Sequence, residues 1–512
     1  MNIVHRWRRL VAVSLFSLLF FGACSLSDAA AGKVHGKVQY EKILFRNPKT
    51  GAAGLDLAHP VLRPVAGAKV ELVDAAAKVL ARGVTDAAGA YTLSWSAAAA
   101  PSAHVRVLAD ADNAVIVDHF SPHATYAVSS ENWTLPEGVA SKDIVAKDKT
   151  RDSGPFNILA ALQIGNKMLR AAEPGIAIPR VTIFWTTKHR AGTSYFMPST
   201  KQAYILGDRA VDSDEFDDVV ILHEYGHFIA AVFAKDDSPG GNHNRGEKVD
   251  PRLAWGEGWG NFFACAALND PRYVDTGVTS DGSGVRIQYS LDDDAPAWDN
   301  PGYWSEHSVG GVLWDIFDKR PGKNHLGCGF GEIWRALRSK AWNDLPPYRH
   351  LIDFADIFVA RNPGIAKGVT AILAARGIKY SPGKTPSVPN PFVRALKTGA
   401  IEAGDLDSRP GTNKQGATAV FSFTLTEKKK VNLHLDIVSS KDKKNADLDL
   451  YLIGADGKTI KSSRATNGVG GTESIAQELP AGRYFVEVRS FSTMTSGATV
   501  TNTGSFKMRA DY

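Results

Sequence analysis

Cysteine, long apolar runs and unbalanced charge are all scarce in this chain of 512 residues. Three cysteines allow no more than one disulfide. The 59 basic and 54 acidic side chains leave a formal net charge of +5, and no long basic tract predicts a nucleic-acid partner. The longest apolar run, Leu10–Ala23, is shorter than the ~20 residues that a membrane-spanning helix needs. What remains is an ordinary soluble composition with room for about three domains.

A basic start before that apolar run predicts a signal peptide at residues 1–23. The run ends in Phe21-Gly22-Ala23-Cys24, which resembles a bacterial lipobox with Phe21 where leucine is usual. The resemblance implies that Cys24 is lipidated, and that the exported chain is an outer-membrane or cell-surface lipoprotein anchored to the membrane by that lipid. Ordinary cleavage near Ala29–Ala31, giving a secreted protein, is the alternative.

The other two cysteines are Cys265 and Cys328. In an oxidising compartment they could form one disulfide. They could equally be two free thiols, because cysteine packs well as a small apolar residue.

Strand patterns lie at both ends of the chain, and helical patterns lie between them. Residues 33–147 show short alternating strands, and the turn at Thr85–Leu93 resembles the carboxypeptidase-regulatory-like (Cna-B-type) β-sandwich. Residues 150–380 show helical periodicity with a few strands, which predicts an α+β domain. A Pro-rich linker at 381–394 follows. Residues 395–512 return to strands, with runs at 447–452 and 479–484 that resemble the bacterial pre-peptidase C-terminal domain.

The central domain contains His223-Glu224-Tyr225-Gly226-His227 inside an apolar run. On a helix, His223 and His227 project from one face, so both imidazoles can bind one zinc ion. Glu224 is then placed to activate a zinc-bound water. Asp212 and Glu215 are expected to cap the start of this helix.

A catalytic zinc needs a third protein ligand. The metzincin pattern fails, because Ala230 and Phe233 stand where it has glycine and histidine. The run Ala254–Asn261 instead contains Gly-Glu-Gly-Trp and resembles the gluzincin peptidases, fungalysin-like enzymes in particular. That resemblance implies that Glu257 is the third ligand, in the first turn of a helix covering Trp259–Leu268.

The same resemblance implies two further roles. Asn261 stands where the family has a carboxylate that hydrogen-bonds a ligand histidine; its amide oxygen can still accept that bond but carries no charge. His307, in Glu306-His307-Ser308, corresponds to the histidine that hydrogen-bonds the oxyanion. Tyr303 is the alternative donor, and His307 could instead be a helix-cap or surface residue.

Other polar clusters give weaker indications. His243 lies in a polar, turn-rich loop and is expected to be exposed, although it could line the cleft. His189 and His325 are expected at the surface. Calcium is a possible further cofactor at Asp292–Asp294 or at Asp447 and Asp449, but solvated carboxylates explain both groups.

Together these features predict a multidomain protein in which two β-sandwiches flank a central zincin-like metallopeptidase domain. The predicted function is an exported zinc metallopeptidase, an endopeptidase in this interpretation, acting on peptides or proteins. The strand around Ala203–Ile205 is expected to pair with an extended substrate. The alternative is a non-enzymatic surface lipoprotein that binds protein or carbohydrate and has an inactive peptidase-like domain, since Asn261 replaces a carboxylate.

Overall fold

The computed structural model describes most of the chain, in the following ranges: 30–46, 53–97, 101–121, 124–188, 191–279, 284–320, 325–382, 392–408, 411, 413–440, 446–465, 468–490, 492–495 and 498–512. The predicted signal peptide, Cys24, His189 and most of the predicted linker lie outside these ranges. Within the described ranges, no helix combines the length and the apolar composition that crossing a bilayer requires. The protein is multidomain and rich in β-structure, with a helical region in the middle.

Two five-stranded sheets face each other near the N-terminus. One is built around β1, which pairs with β4, β7, β13 and β14, and the other has the order β11-β8-β5-β6 with β12 beside β8. Alternate residues of β7, such as Leu93 and Trp95, are buried between the sheets. The fourteen strands of this part are β1 (Ala30–Lys42), β2 (Phe45–Arg46), β3 (Gly54–Leu55), β4 (Val61–Pro64), β5 (Lys69–Asp74), β6 (Val79–Val84), β7 (Ala90–Ala97), β8 (Ser102–Leu108), β9 (Asp110–Ala111), β10 (Ala114–Asp118), β11 (Ala127–Ser129), β12 (Trp133–Thr134), β13 (Gly138–Ser141) and β14 (Ile144–Ala146).

The central domain packs helices on a mixed sheet of order β16-β17-β15-β10-β9. Its elements are α1 (Ser153–Ala172), β15 (Val181–Trp185), β16 (Tyr195–Met197), β17 (Gln202–Ile205), β18 (Gly207–Asp208), β19 (Asp212–Ser213), α2 (Asp218–Phe233), α3 (Pro251–Leu268), β20 (Arg272–Thr276), β21 (Val285–Ser290), α4 (Glu306–Phe317), α5 (Phe330–Leu337), α6 (Lys340–Asn343), α7 (Leu351–Arg361), a 3-10 turn (Pro363–Ile365) and α8 (Ala366–Ala375).

The structure differs from the domain boundary that the sequence pattern predicts after residue 147. Strands β9 and β10 lie within 33–147, yet β10 pairs in parallel with β15 of the central sheet. Ile116 of β10 is fully buried, as is Ile183 of β15 beside it. Sequence periodicity predicts a strand but not the sheet that it joins. Residues that the pattern assigned to the N-terminal sandwich therefore belong to the sheet of the central domain.

Strand β17 is an interior strand, which corrects its predicted role in substrate pairing. It lies between β15 and β16, and both of its edges are therefore hydrogen-bonded. Among the described residues, β16 ends the sheet on this side.

Two helix starts also differ from prediction. Helix α2 begins at Asp218 after the N-cap Asp217, and Asp212 instead lies in β19, where it pairs with Asp208 of β18. The carboxylate of Glu215 binds Arg151 rather than capping the helix. A residue pattern alone could not place these acids, because tertiary ion pairs compete with capping.

Helix α3 begins eight residues before the predicted Trp259, at Pro251, so Glu257 lies in its second turn. The sequence pattern favoured a later start because Gly256 and Gly258, which precede Trp259, each cost about 1 kcal/mol in a helix interior. The helix nevertheless buries almost all of its residues, Trp255 among them, and that packing outweighs weak local propensity.

The C-terminal part is a second β-sandwich, with sheets of order β22-β24-β29-β26-β27 and β23-β32-β25-β28. Its core includes Phe421, Leu450 and Val486, all fully buried. The elements are β22 (Val393–Ala395), β23 (Ile401–Asp407), β24 (Thr418–Leu425), β25 (Lys429–Ser439), β26 (Leu448–Ile453), β27 (Thr459–Ser463), β28 (Thr472–Leu479), β29 (Gly482–Ser490), β30 (Ser492–Thr495), β31 (Ala498–Thr501) and β32 (Thr503–Asp511). Both Cys265 and Cys328 of the central domain are free thiols.

Candidate metal centre

Helix α2 carries the two candidate histidine ligands. It is apolar on nearly all sides, and Val219 to Leu222 are buried, so it runs through the centre of the domain. His223 and His227 are one turn apart and their Nε2 atoms lie 3.0 Å from each other. The helix therefore presents both imidazoles to one point, as the spacing predicted.

Helix α3 reaches the same point because it packs unusually close to α2. A Cβ on Gly226 would lie 3.2 Å from the Cα of Gly260, and a Cβ on Gly260 would lie 2.9 Å from the His223 ring. Trp259 fixes the contact by donating its indole N–H to the carbonyl of Gly226 at 2.9 Å. The missing side chain at Gly260 thus makes room for the His223 imidazole.

Three donor atoms converge where the helices meet. Oε2 of Glu257 lies 3.2 Å from Nε2 of His223 and 3.3 Å from Nε2 of His227. Two ligands on a tetrahedral zinc, with bonds of about 2.0–2.1 Å, are themselves about 3.3 Å apart. Two imidazole nitrogens and a carboxylate oxygen are also the donor types that catalytic zinc takes, so the residues fit the ion in both spacing and chemistry.

The electrostatics of this cluster favour a cation. Burial opposes the charge on His227, but the carboxylates of Glu257 and Glu224 outweigh it and raise the pKa of His227 to about 9. Burial likewise opposes the charge on Glu257, yet His227 and His223 hold its pKa well below the usual range. The negative environment that retains a proton here would equally stabilise a bound metal ion.

Glu224 lies beside the three donors and is 7 % exposed. Burial raises its pKa, although the neighbouring His223 and His227 act in the opposite direction. A carboxylate with a raised pKa is a better proton acceptor than an exposed one. The site therefore contains a base next to the ligand cluster.

Asn261 hydrogen-bonds one of the candidate ligands, His223. Its Oδ1 lies 2.8 Å from Nδ1 of His223, and the side chain is buried. Since Oδ1 can only accept, the Nδ1 proton stays on His223 and leaves Nε2 free to bind a metal ion.

His243 lies at the cluster, although the sequence predicted an exposed loop residue that could at most line the cleft. Its Nε2 lies 3.5 Å from Oε2 of Glu257, and its Nδ1 lies 3.1 Å from Oε2 of Glu306, the first residue of α4. The side chain is 27 % exposed, so it borders the cluster at the solvent side. Its only sequence signal was a histidine in a polar loop close to the motif in the chain.

His307 has a different environment from the predicted one. It is 1 % exposed, its Nε2 donates to the carbonyl of Asp293 at 2.7 Å, and its ring packs edge-on against Tyr289 and Trp298. Burial lowers its pKa. A neutral imidazole has one N–H, and here that N–H is already used, so His307 is unsuited to binding an oxyanion. The alternative, Tyr303, packs against Trp304 and His350.

The groups considered for calcium are engaged in protein contacts. Asp294 pairs with Arg376 at 3.1 Å, and Asp449 is buried and accepts from the hydroxyl of Tyr451. Contrary to expectation, the side chain of His325 is only 8 % exposed, and it binds Asp292 at 2.8 Å.

Comparisons with known proteins match two parts of the chain. The Mycolysin C-terminal domain family matches residues 166–331, which include His223, Glu224, His227 and Glu257. The bacterial pre-peptidase C-terminal domain family matches residues 417–490. The chain is related to metallopeptidases. The predicted pre-peptidase C-terminal domain is confirmed by the second match, and no curated protein matches the sequence.

Solved structures overlap the chain only in part. The precursor of protealysin, a metalloproteinase from Serratia proteamaculans, is 11 % identical, covers 52 % of this chain and 87 % of its own, and has a TM-score of 0.31. The pre-peptidase C-terminal domain of a collagenase from Bacillus anthracis is 10 % identical, covers 23 % and 94 %, and has a TM-score of 0.17. With such low scores, the relationship rests on the two family matches.

Proposed function

We propose that this protein is an exported zinc-dependent endopeptidase of the gluzincin type, with His223, His227 and Glu257 as the metal ligands. The observation that carries the proposal is the convergence of two imidazole nitrogens and a carboxylate oxygen within 3.0–3.3 Å of one another, beside the buried base Glu224. Zinc, when bound, acts as a Lewis acid that acidifies water and polarises the scissile carbonyl.

Glu224 is the proton carrier in this mechanism. Its carboxylate takes a proton from the attacking water and later gives it to the leaving amine nitrogen. The burial that raises its pKa suits it to both steps, because a carboxyl group that is too acidic would not hold the proton between them.

His243 replaces His307 as the proposed donor to the oxyanion. When protonated, its ring donates from Nδ1 to Glu306 and presents Nε2–H beside the metal ligands. Removing one such donor typically lowers kcat by roughly 10²–10³-fold.

The substrate is an extended peptide that pairs with β16 rather than with β17. Phe196, in the middle of β16, has its ring nearly parallel to the His227 imidazole, with 6.3 Å between the ring centroids. A peptide added along β16 would therefore pass the metal ligands, and strand addition requires no particular substrate sequence.

The flanking regions complete the proposal. The N-terminal sandwich is a Cna-B-type stalk, and the predicted signal peptide exports the chain. Lipidation at Cys24 would hold it at the membrane.

The decisive experiment compares the mature chain with Glu224→Gln. We expect one zinc per chain in both proteins and a fall in peptide cleavage of roughly 10²–10⁴-fold in the variant, the usual contribution of a general base. Glu332→Gln, a partly exposed glutamate on α5, is the matched control and should cleave normally. Equal cleavage by wild type and Glu224→Gln would overturn the mechanism. A chain that neither contains nor takes up zinc would favour the non-enzymatic alternative.

A further inference from the structure

A short segment of the C-terminal part, Asn413–Gln415 between β23 and β24, lies against the loop that carries His243. The side-chain amide of Asn413 donates to the carbonyls of Gly240 and Asn242, at 3.1 and 2.9 Å. Lys414 donates from Nζ to the same Asn242 carbonyl at 2.7 Å. Two side chains of this segment therefore hold the backbone immediately before His243.

The loop is also held on the far side of His243. Lys414 forms an ion pair with Glu247 at 2.6 Å, and Glu247 in turn accepts from the backbone N–H of Asn244 at 2.8 Å. The Lys414 side chain is only 5 % exposed and that of Glu247 is 33 % exposed, so the lysine end of this pair is shielded from solvent. The contacts thus reach the residue before His243 and the residue after it.

Backbone bonds join the segment to the start of α3. The carbonyl of Asn413 accepts from the N–H of Asp250, the N-cap of α3, at 2.8 Å, and the N–H of Gln415 donates to Lys248 at 3.0 Å. Residues 235–248 contain no helix or strand, and Gly240 and Gly241 both have positive φ. A loop of this kind has little local structure to fix its path, so external contacts determine it.

We infer that Asn413 and Lys414 are positioning residues for His243, and that the C-terminal β-sandwich thereby supports catalysis in the central domain. The inference rests on the proposed peptidase function. The segment orients the loop, the loop presents His243, and Glu306 fixes the ring. The metal ligands on α2 and α3 make none of the contacts described for this segment, so losing it should impair turnover without releasing zinc.

The test uses full-length Lys414→Met and Asn413→Asp. Each should lower kcat by roughly 10–100-fold with little change in KM, since a misplacement of about 1 Å costs on that order. Zinc content should stay at the wild-type value. Lys414→Arg, which keeps the donors and the charge, should restore most of kcat. Tyr348→Phe removes a different contact between the same two parts of the chain and should leave kcat within about twofold.

A double-mutant cycle with His243→Ala separates positioning from general damage. In the His243→Ala background, Lys414→Met should cost less than about twofold, because the group it positions is gone. An equal loss of kcat in both backgrounds, or loss of zinc from the variants, would overturn the inference.

Amide hydrogen exchange gives a readout that does not depend on activity. Exchange over residues 240–249 should accelerate in Lys414→Met and remain unchanged in Tyr348→Phe. If the wild-type protein fails to cleave peptides, the proposed function is wrong. Unchanged exchange in Lys414→Met would refute the positioning contact, whether or not the protein is a peptidase.

Discussion

The two sides of the candidate site are built in different ways. The helix side, His223, His227 and Glu257, lies on two helices that pack almost backbone to backbone. The loop side, residues 240–248, carries His243 on chain without regular structure and is held by Asn413 and Lys414, about 170 residues further along the chain.

In the proposed mechanism, this difference in construction separates metal binding from turnover. Donor atoms on buried helices stay in place when one surface contact is lost, because many packing contacts fix each of them. A loop held by a few hydrogen bonds shifts when one of them is removed. Changes to the three candidate ligands or to their packing should therefore act on zinc affinity, and changes on the loop side should act on kcat.

The largest effect is expected from Gly260→Ala on the helix side. The new Cβ would lie 2.9 Å from the His223 ring, a distance that forces the imidazole to move. Zinc affinity should fall by more than about 100-fold, because losing a ligand costs more than losing its outer partner, which costs roughly 10–100-fold. Competitive chelation measures the affinity.

Gly331→Ala is the matched control for that substitution. It adds the same methyl group to a helix, but the nearest atom would be 3.5 Å away, at the end of the Arg335 side chain. Zinc affinity should be unchanged. Wild-type zinc affinity in Gly260→Ala would show that close helix packing does not set the ligand geometry. The distinction drawn between the helix side and the loop side would then be wrong for the helix side.

The helix side could be predicted from the sequence because its information is local. His223 and His227 are four residues apart on one helix, and Glu257 stands in a distinctive Gly-Glu-Gly-Trp run. The start of α3 was predicted eight residues too late, since Gly256 and Gly258 oppose a helix locally and only the packing of α3 against α2 and α4 offsets them.

The loop side could not be predicted in this way. His243 binds Glu306, 63 residues further along the chain, and its neighbour Asn242 binds Asn413, 171 residues further along. No periodicity in the sequence encodes either contact. The family pattern pointed to His307, one residue from Glu306, but a helix directs successive side chains about 100° apart. Glu306 therefore faces His243, while His307 faces Asp293 and the aromatic core.

A smaller effect on the helix side is expected at Asn261. Asn261→Ala removes the acceptor for Nδ1 of His223, and zinc affinity should fall by roughly 10–100-fold. Asn261→Asp restores a charged acceptor and should bind zinc at least as tightly as wild type, because a charge-assisted hydrogen bond is the stronger one. Weaker zinc binding by Asn261→Asp than by Asn261→Ala would contradict the assigned role of this hydrogen bond.

The smallest effect on catalysis is expected from Tyr348→Phe, which tests whether the loop side depends on particular contacts or on domain docking as a whole. The Tyr348 hydroxyl donates to Oε1 of Glu487 at 2.7 Å, and both side chains are almost fully buried. Its loss should cost about 1–3 kcal/mol, because a buried carboxylate oxygen loses a donor. Thermal unfolding of the full chain should begin a few degrees lower, at about 2–4 °C per kcal/mol for a domain of this size.

Arg252 still lies 3.7 Å from Glu487, so docking should persist and kcat should stay within about twofold. A fall in kcat as large as that of Lys414→Met would mean that the whole interface, rather than the Asn413–Lys414 contact, governs His243.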